Sequence, residues 1–306
     1  MQSSLNLPGL QFFERGWLSA NNILFTDEHS ATLIDSGYVT HQDQTLALVQ
    51  HALGERSLDR LINTHLHSDH CGGNAALQAT YADLQTFIPP GCSQAVRSWD
   101  EDGLTYKPTG QSCPRFGFDA LLQPGTRLQA GGRWWDIHAA PGHDPDSVLL
   151  FQADTGVLLS ADALWEHGFG VVFPEIYGEP GFDDVARTLD VIEQLQPRTV
   201  VPGHGRVFSD VSGALARARE RVSIFMDHPL KHASHAAKVL IKFHLMAIHS
   251  CPVESLLDWG EASRYLTTLH AMHYPQQSFR EWAQGLVDAL IRSGVLARQD
   301  QQVLNV

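Results

Sequence analysis

Four side chains able to bind a metal fall within six residues of this chain: His65, His67, Asp69 and His70, in the run Thr64-His65-Leu66-His67-Ser68-Asp69-His70. Three further candidates follow in ordered contexts. His143 sits in Ala140-Pro141-Gly142-His143, Asp162 ends the apolar run from Val157, and His204 sits in Val201-Pro202-Gly203-His204-Gly205. In extended backbone, side chains two apart point the same way, so His65 and His67 can grip one ion while the turn carries Asp69 and His70 toward a neighbour. Imidazole and carboxylate without thiolate suit zinc, with iron or manganese as alternatives, and do not suit copper(I). Seven such ligands are enough for two divalent ions.

Singly, the downstream candidates are weak. A histidine after Pro-Gly is commonly a loop residue, and an aspartate after a strand is commonly a cap. Their weight comes from the elements that must position them. Strand-like runs at Leu10–Phe13, Asn22–Phe25 and Ala31–Ile34 lead to Asp35-Ser36-Gly37; His41–Leu53 has near-helical apolar spacing; Leu58–Asn63 reads as a buried strand ending at the ligand run; and Asp69 and His70 open a helical segment. Four more strand-like runs follow, at 127–129, 134–138, 147–152 and 157–160, then the amphipathic helix Asp183–Leu195 and the strand Thr199–Val201. Two strand-rich halves, each with helices, predict two sheets packed face to face with helices outside. Residues 100–118 mix Gly and Pro with Tyr106, Phe116 and Phe118, which predicts a loop with an aromatic inner face, a candidate lid.

From about Val211 the ligand contexts stop and four helical stretches follow, at 214–226, 233–248, 256–269 and 278–292, before a short hairpin. The division expected is a catalytic domain over 1–211 and a helical domain over 212–306. The histidine pairs His232 with His235 and His270 with His273, at i,i+3 spacing, read as solvated helix faces. Net charge is −13, but residues 213–306 carry 10 Lys and Arg against 8 Asp and Glu, so the acidity lies in the first part. An acidic body repels phosphate backbones, which argues against a nucleic-acid partner, and the near-neutral C-terminal part favours pocket shaping or homo-oligomerisation. Four scattered cysteines without a Cys-x-x-Cys pair point to a reducing cytoplasm. Cys71, beside the ligand run, reads as a small buried side chain. Met1–Leu10 has neither a basic start nor an apolar core, and no stretch is apolar enough to span a membrane, so the expectation is an unexported protein acting on a small molecule.

Taken together, these motifs resemble the metallo-β-lactamase-fold superfamily of metal-dependent hydrolases over roughly residues 10 to 210. The resemblance rests on Asp35 in Leu33-Ile34-Asp35-Ser36-Gly37, the His-x-His-x-Asp-His run, His143, Asp162 and His204, in family order. It implies an α+β fold, the αββα four-layer sandwich, with a C-terminal helical extension that is winged-helix-like in outline. It also implies that His65, His67 and His143 bind a first metal, that Asp69, His70 and His204 bind a second, and that Asp162 bridges them. A metal-bridging hydroxide would then attack a small ester, thioester or lactone, with Asp69 orienting it or moving its proton. Asp35 is expected to hold a ligand in place.

The chain also departs from the family pattern. After the third histidine it reads His143-Asp144-Pro145-Asp146-Ser147, with Asp146 in place of a glycine, and Ala161 stands where glycine often precedes the bridging aspartate. Asp162 itself favours the glyoxalase II-like subgroup over true β-lactamases, and Trp165 stands where acyl-homoserine lactonases have tyrosine. Trp165 and His167 are the candidate substrate-binding residues. Trp99, Tyr106, Phe116 and Tyr177 are further candidates for an apolar pocket or for ordinary packing. Other readings are a mononuclear iron enzyme of the persulfide dioxygenase type, an RNA or phosphodiester hydrolase, and a metal-binding regulatory module without turnover.

Overall fold

The structure, a computed structural model, describes residues 7–306. Most of the N-terminal segment read above as lacking leader features therefore lies outside the described residues.

Strands β1 (Leu10–Phe13), β2 (Asn22–Thr26), β3 (Ala31–Ile34), β4 (Arg60–Ile62), β5 (Gln85–Ile88) and β6 (Ala120–Leu121) form one sheet in that order. The first three meander antiparallel, and β3 to β6 run parallel. A second sheet runs β11-β10-β9-β8-β7, from β7 (Arg127–Ala130), β8 (Arg133–Ala139), β9 (Val148–Gln152), β10 (Val157–Ala161) and β11 (Thr199–Pro202). Between the β3 to β6 strands lie α1 (Gln42–Leu53), α2 (Ser68–Cys71), α3 (Asn74–Thr80), α4 (Ser93–Ser98) and α5 (Tyr106–Thr109). Helices α6 (Gly181–Leu195) and α7 (Val211–Asp227) belong to the second sheet.

Alternation along each strand makes the layers. Ile23, Phe25, Ile34 and Ile62 of the first sheet meet Val148, Leu150, Val157, Leu159 and Val201 of the second in one apolar cluster. Their neighbours Leu24, Leu33 and Leu61 face outward onto Val49, Leu53 and Leu77 of α1 and α3. Leu149, Phe151, Leu158 and Val200 likewise turn out onto Leu189 and Ile192 of α6 and Leu215 and Ala218 of α7. Strands with both faces covered are apolar throughout. The result is the expected four-layer αββα sandwich.

The 100–118 segment, read as a candidate lid, has the aromatic inner face expected of it. Tyr106 and Phe116 are buried with Leu66, Cys71, Ile88 and Val96, because their rings find apolar partners beneath the ligand run. Helices α8 (Pro229–Ile248), α9 (Val253–Ala262), α10 (Arg264–His273) and α11 (Phe279–Arg292) build a second core that includes Leu240, Leu256, Leu266, Trp282 and Leu286. The single helix expected over 256–269 is two, since Ser263 is extended and its Oγ donates to the Pro108 carbonyl at 3.1 Å. That bond pins the 100–118 segment to the C-terminal region. Ser278 and Glu281 form a reciprocal capping box at the start of α11. The expected hairpin is present as β13 (Leu296–Gln299) and β14 (Gln302–Asn305), joined by β12 (Ser250–Pro252) in the order β12-β14-β13. Among the described residues no helix is long and apolar enough to cross a membrane.

Candidate metal centre

Strand direction brings the candidates together. β3 and β4 run parallel, as do β10 and β11, and β8 points the same way as β10 because both are antiparallel to β9. The loops that follow β3, β4, β8, β10 and β11 therefore leave at one edge of the sandwich. They carry, in turn, Asp35, the His65 to His70 run, His143, Asp162 and His204.

Two ligand clusters result, His65 with His67 and His143, and Asp69 with His70, Asp162 and His204; within each, one ligand atom per residue lies within 4.8 Å of the others. In the first, His67 Nδ1 is 3.1 Å from His65 Nε2 and 2.7 Å from His143 Nε2. In the second, Asp69 Oδ2 is 3.1 Å from His204 Nε2. Asp162 spans both: Oδ1 lies 3.4 Å from His70 Nε2, and Oδ2 lies 3.4 Å from His143 Nε2 and 3.8 Å from His204 Nε2.

The outer atoms of the rings settle which nitrogens face inward. His70 Nδ1 donates to Asp35 Oδ2 at 2.8 Å, and His143 Nδ1 donates to the Val171 carbonyl. Asp35 is held in turn by the Thr64 amide at 2.9 Å and the Thr64 hydroxyl at 2.8 Å. This is the tether expected of Asp35, and such contacts fix the tautomer and aim of a metal-binding ring. His67 Nε2 faces Asp144 Oδ2 at 3.5 Å. Inward, His70 Nε2 is buried with no hydrogen-bond partner. An orphaned buried nitrogen beside crowded imidazoles and carboxylates is the donor set a divalent cation satisfies.

Electrostatics agree. Burial pushes the His65 imidazole well below its ordinary range, His67 to about 3, and His143 below its usual value, so all three stay neutral and ready to bind a cation. Burial also pulls His70 down, but Asp162 and Asp35 outweigh it and raise the ring well above normal. Burial would raise Asp162, yet His204 and His70 hold it well below the usual carboxylate range. Burial pushes Asp144 up to about 7, outweighing the Asp146 amide and the His70 ring that favour its charged form.

Close packing leaves the ligands little room. A Cβ on Gly203 would lie 2.2 Å from Asp162 Oδ1 and 3.0 Å from His70 Cε1. Ala161 has φ of +47°, a left-handed conformation that glycine adopts with less strain, so the backbone bears the substitution. Asp146 needs no such conformation; its carboxylate fills the space beside Gly91 and accepts from Cys92 Sγ at 3.4 Å.

A cavity of about 570 Å³ opens over both clusters. Trp165 lines it and donates from Nε1 to Asp162 Oδ1 at 3.2 Å. His167, read with it as a substrate contact, is exposed beside Glu166 and is not among the lining residues. Tyr177 is partly exposed and packs on Tyr265. Several lining residues were missed: His235, read with His232 as part of a solvated helix face, lines the cavity instead, and the others carried no sequence signal. Trp17 stacks on the His204 ring at 5.5 Å, and Arg221, His235 and Lys238 enter from α7 and α8. His232, read as solvated, is 4% exposed, because it packs between Phe182 and Phe225.

Comparison with known proteins places this architecture. Residues 15–204, well over half of the chain, match the Metallo-beta-lactamase superfamily. A metallo-beta-lactamase family protein from Thermus thermophilus superposes with a TM-score of 0.58 at 18% identity, covering 98% of this chain and 99% of its own. A Beta-lactamase-like protein 2 homolog from Drosophila melanogaster is 25% identical over 245 residues, covering 72% of this chain and 74% of its own. A Hydroxyacylglutathione hydrolase from Thermosynechococcus vestitus is 27% identical over 140 residues, covering 46% of this chain and 45% of its own. The chain spans about half the length of the curated hydroxyacylglutathione hydrolases it matches. Two His/Asp clusters able to hold metal stand on one edge of the sandwich, and the chain belongs to the metallo-beta-lactamase superfamily.

Proposed function

We propose that this chain is a dinuclear hydrolase of a small ester, thioester or lactone. His65, His67 and His143 would hold one ion, Asp69, His70 and His204 the other, with Asp162 shared. One observation carries the assignment: the two oxygens of Asp162 reach atoms of both clusters. Zinc is the metal proposed, and iron or manganese suits the same donors. Two bound ions supply acidified water and a polarised scissile carbonyl.

The chain's own groups do the rest. Asp35 and the Val171 carbonyl fix two rings from outside, so the inward nitrogens need no reorientation. Asp69, whose carboxylate lines the cavity, is the group placed to receive and pass on a proton. Trp165 and Trp17 close over His204 and exclude water from one side of the centre. The complete second cluster favours two metals over a single-iron oxygenase, which needs only three protein ligands and open positions. Four free thiols suit a reducing compartment.

The test loads purified protein separately with zinc, iron and manganese and presents thioester, lactone, β-lactam and phosphodiester substrates. The expected result is hydrolysis of a carbonyl substrate, abolished by chelation and restored by metal. Oxygen consumption with one iron per chain, and no hydrolysis, would overturn the reading.

A further inference from the structure

Each ligand cluster is backed by a buried carboxylate that belongs to neither. Behind the second cluster it is Asp35, which accepts from His70. Behind the first it is Asp144, in the stretch where the chain departs from the family pattern, and its aim has a local cause. Asp144 Oδ1 accepts from the Asp146 amide at 2.8 Å, closing an Asx turn over Pro145, whose ring restricts the backbone between them. With one oxygen held by the turn, the other is directed at the metal centre: Oδ2 lies 3.5 Å from His67 Nε2.

The surroundings make that contact consequential. Asp144 is buried, and among the described residues no lysine or arginine pairs with it. A buried carboxylate without a positive partner is costly, and the group facing its free oxygen is the His67 ring. The far side of that ring points at the other ligands, with Nδ1 at 2.7 Å from His143 Nε2 and 3.1 Å from His65 Nε2. Phe173 packs on the His67 ring at 4.9 Å, and the buried Tyr265 of α10 packs on Phe173 at 5.3 Å, so the contact lies among aromatic rings where charge is weakly screened. A neutral imidazole has one N–H, and Nδ1 can bind a cation only when that hydrogen is on Nε2.

We propose that Asp144 is the positioning residue of the first cluster: it holds the His67 hydrogen on Nε2, keeps Nδ1 open to a cation, and so sets how tightly this cluster binds metal relative to the second. This inference rests on the dinuclear reading of the centre. It gives the first cluster the anionic support that Asp35 gives the second.

One substitution separates this role from that of the turn. In Asp144→Asn the amide oxygen is needed by the Asp146 N–H, so the NH2 group faces His67 Nε2, and two opposed donors drive the ring toward its Nδ1–H form. Asp144→Thr keeps an oxygen for the turn and removes the one that faces His67. A residue that only shaped the turn would tolerate both.

The experiment follows the ring nitrogens of the metal-free chain by long-range 15N correlation NMR at pH 8, then titrates zinc against a competing chelator, reading the first cluster from His65 and the second from His70. His67 is expected as the Nε2–H form in wild type and displaced toward Nδ1–H in Asp144→Asn. Zinc affinity at the first cluster is expected to fall about tenfold or more in Asp144→Asn and by less in Asp144→Thr, with the second cluster within about twofold of wild type. Far-ultraviolet circular dichroism checks that each variant folds, and Asp144→Thr carries the affinity test if the asparagine variant does not. A His67 tautomer indifferent to Asp144→Asn, a first-cluster affinity unchanged in both variants, or an equal loss at both clusters overturns the proposal. The tautomer shift in a chain whose wild type binds a single zinc ion leaves the role of Asp144 standing and overturns the dinuclear reading.

Discussion

The two walls of the cavity are built on opposite plans. The ligand wall is the edge of a sandwich, where five loops converge and three of the rings have an outside partner: Asp35 for His70, Val171 for His143, Asp144 facing His67. The α7 and α8 wall holds its chemistry on helix surfaces, with two cations unpaired and one lysine engaged by the chain end. The first wall carries a donor set suited to metal, and the second carries basic and apolar side chains. The comparison teaches that the metal-binding groups and the basic groups of the cavity reside on different elements and can be perturbed separately.

The largest effect on that division comes from Gly203→Ala, which alters no ligand. The new methyl collides with Asp162 and His70, so kcat/KM should fall about 100-fold while far-ultraviolet circular dichroism is unchanged. Unaltered activity would show that the ligand wall tolerates displacement. Next is Asp35→Asn, which leaves His70 in place but removes its anionic acceptor. Metal affinity is expected to drop by about 10-fold to 100-fold at the second cluster, measured by competition with a chelating dye. An equal loss at both clusters would contradict the independent tethering described here.

A third prediction concerns stability and tests the joint of α8 with α6 and α7. His232 on α8 lies between Phe182 and Phe225, facing His235 and His273 and no acid, and burial pushes its imidazole down to about 4. The unfolded chain takes up that proton first, so the associated stability is complete above about pH 6.5 and is lost as pH falls toward 4. The full loss is about 3 kcal/mol. Urea denaturation at pH 7 and pH 4.5 should show a smaller acid loss for His232→Phe than for wild type. An identical loss in both would assign the acid sensitivity elsewhere.

How much was legible follows the same division. The ligand wall was readable because metal binding demands particular residue types at close spacing, as in the run from His65 to His70, and because apolar alternation betrayed both sheets. Asp35 was recognisable from its place after β3. The α7 and α8 wall was not. Arg221, Lys238 and His235 have the spacing of any amphipathic helix, and only tertiary packing decides that this face meets a cavity. Trp17, stacked on His204, sits in a loop with no periodicity to place it. Over 100–118 Gly and Pro marked the irregular backbone and the aromatic residues its inner face, but not the partners that bury Tyr106 and Phe116.

The central claim is that seven residues form one centre for two ions, and metal stoichiometry with anomalous scattering tests it most directly. The account predicts two transition-metal ions per wild-type chain, one held by His65, His67 and His143, the other by Asp69, His70 and His204, with Asp162 between them. A single ion confined to the first cluster, or metal bound away from these residues, would contradict it.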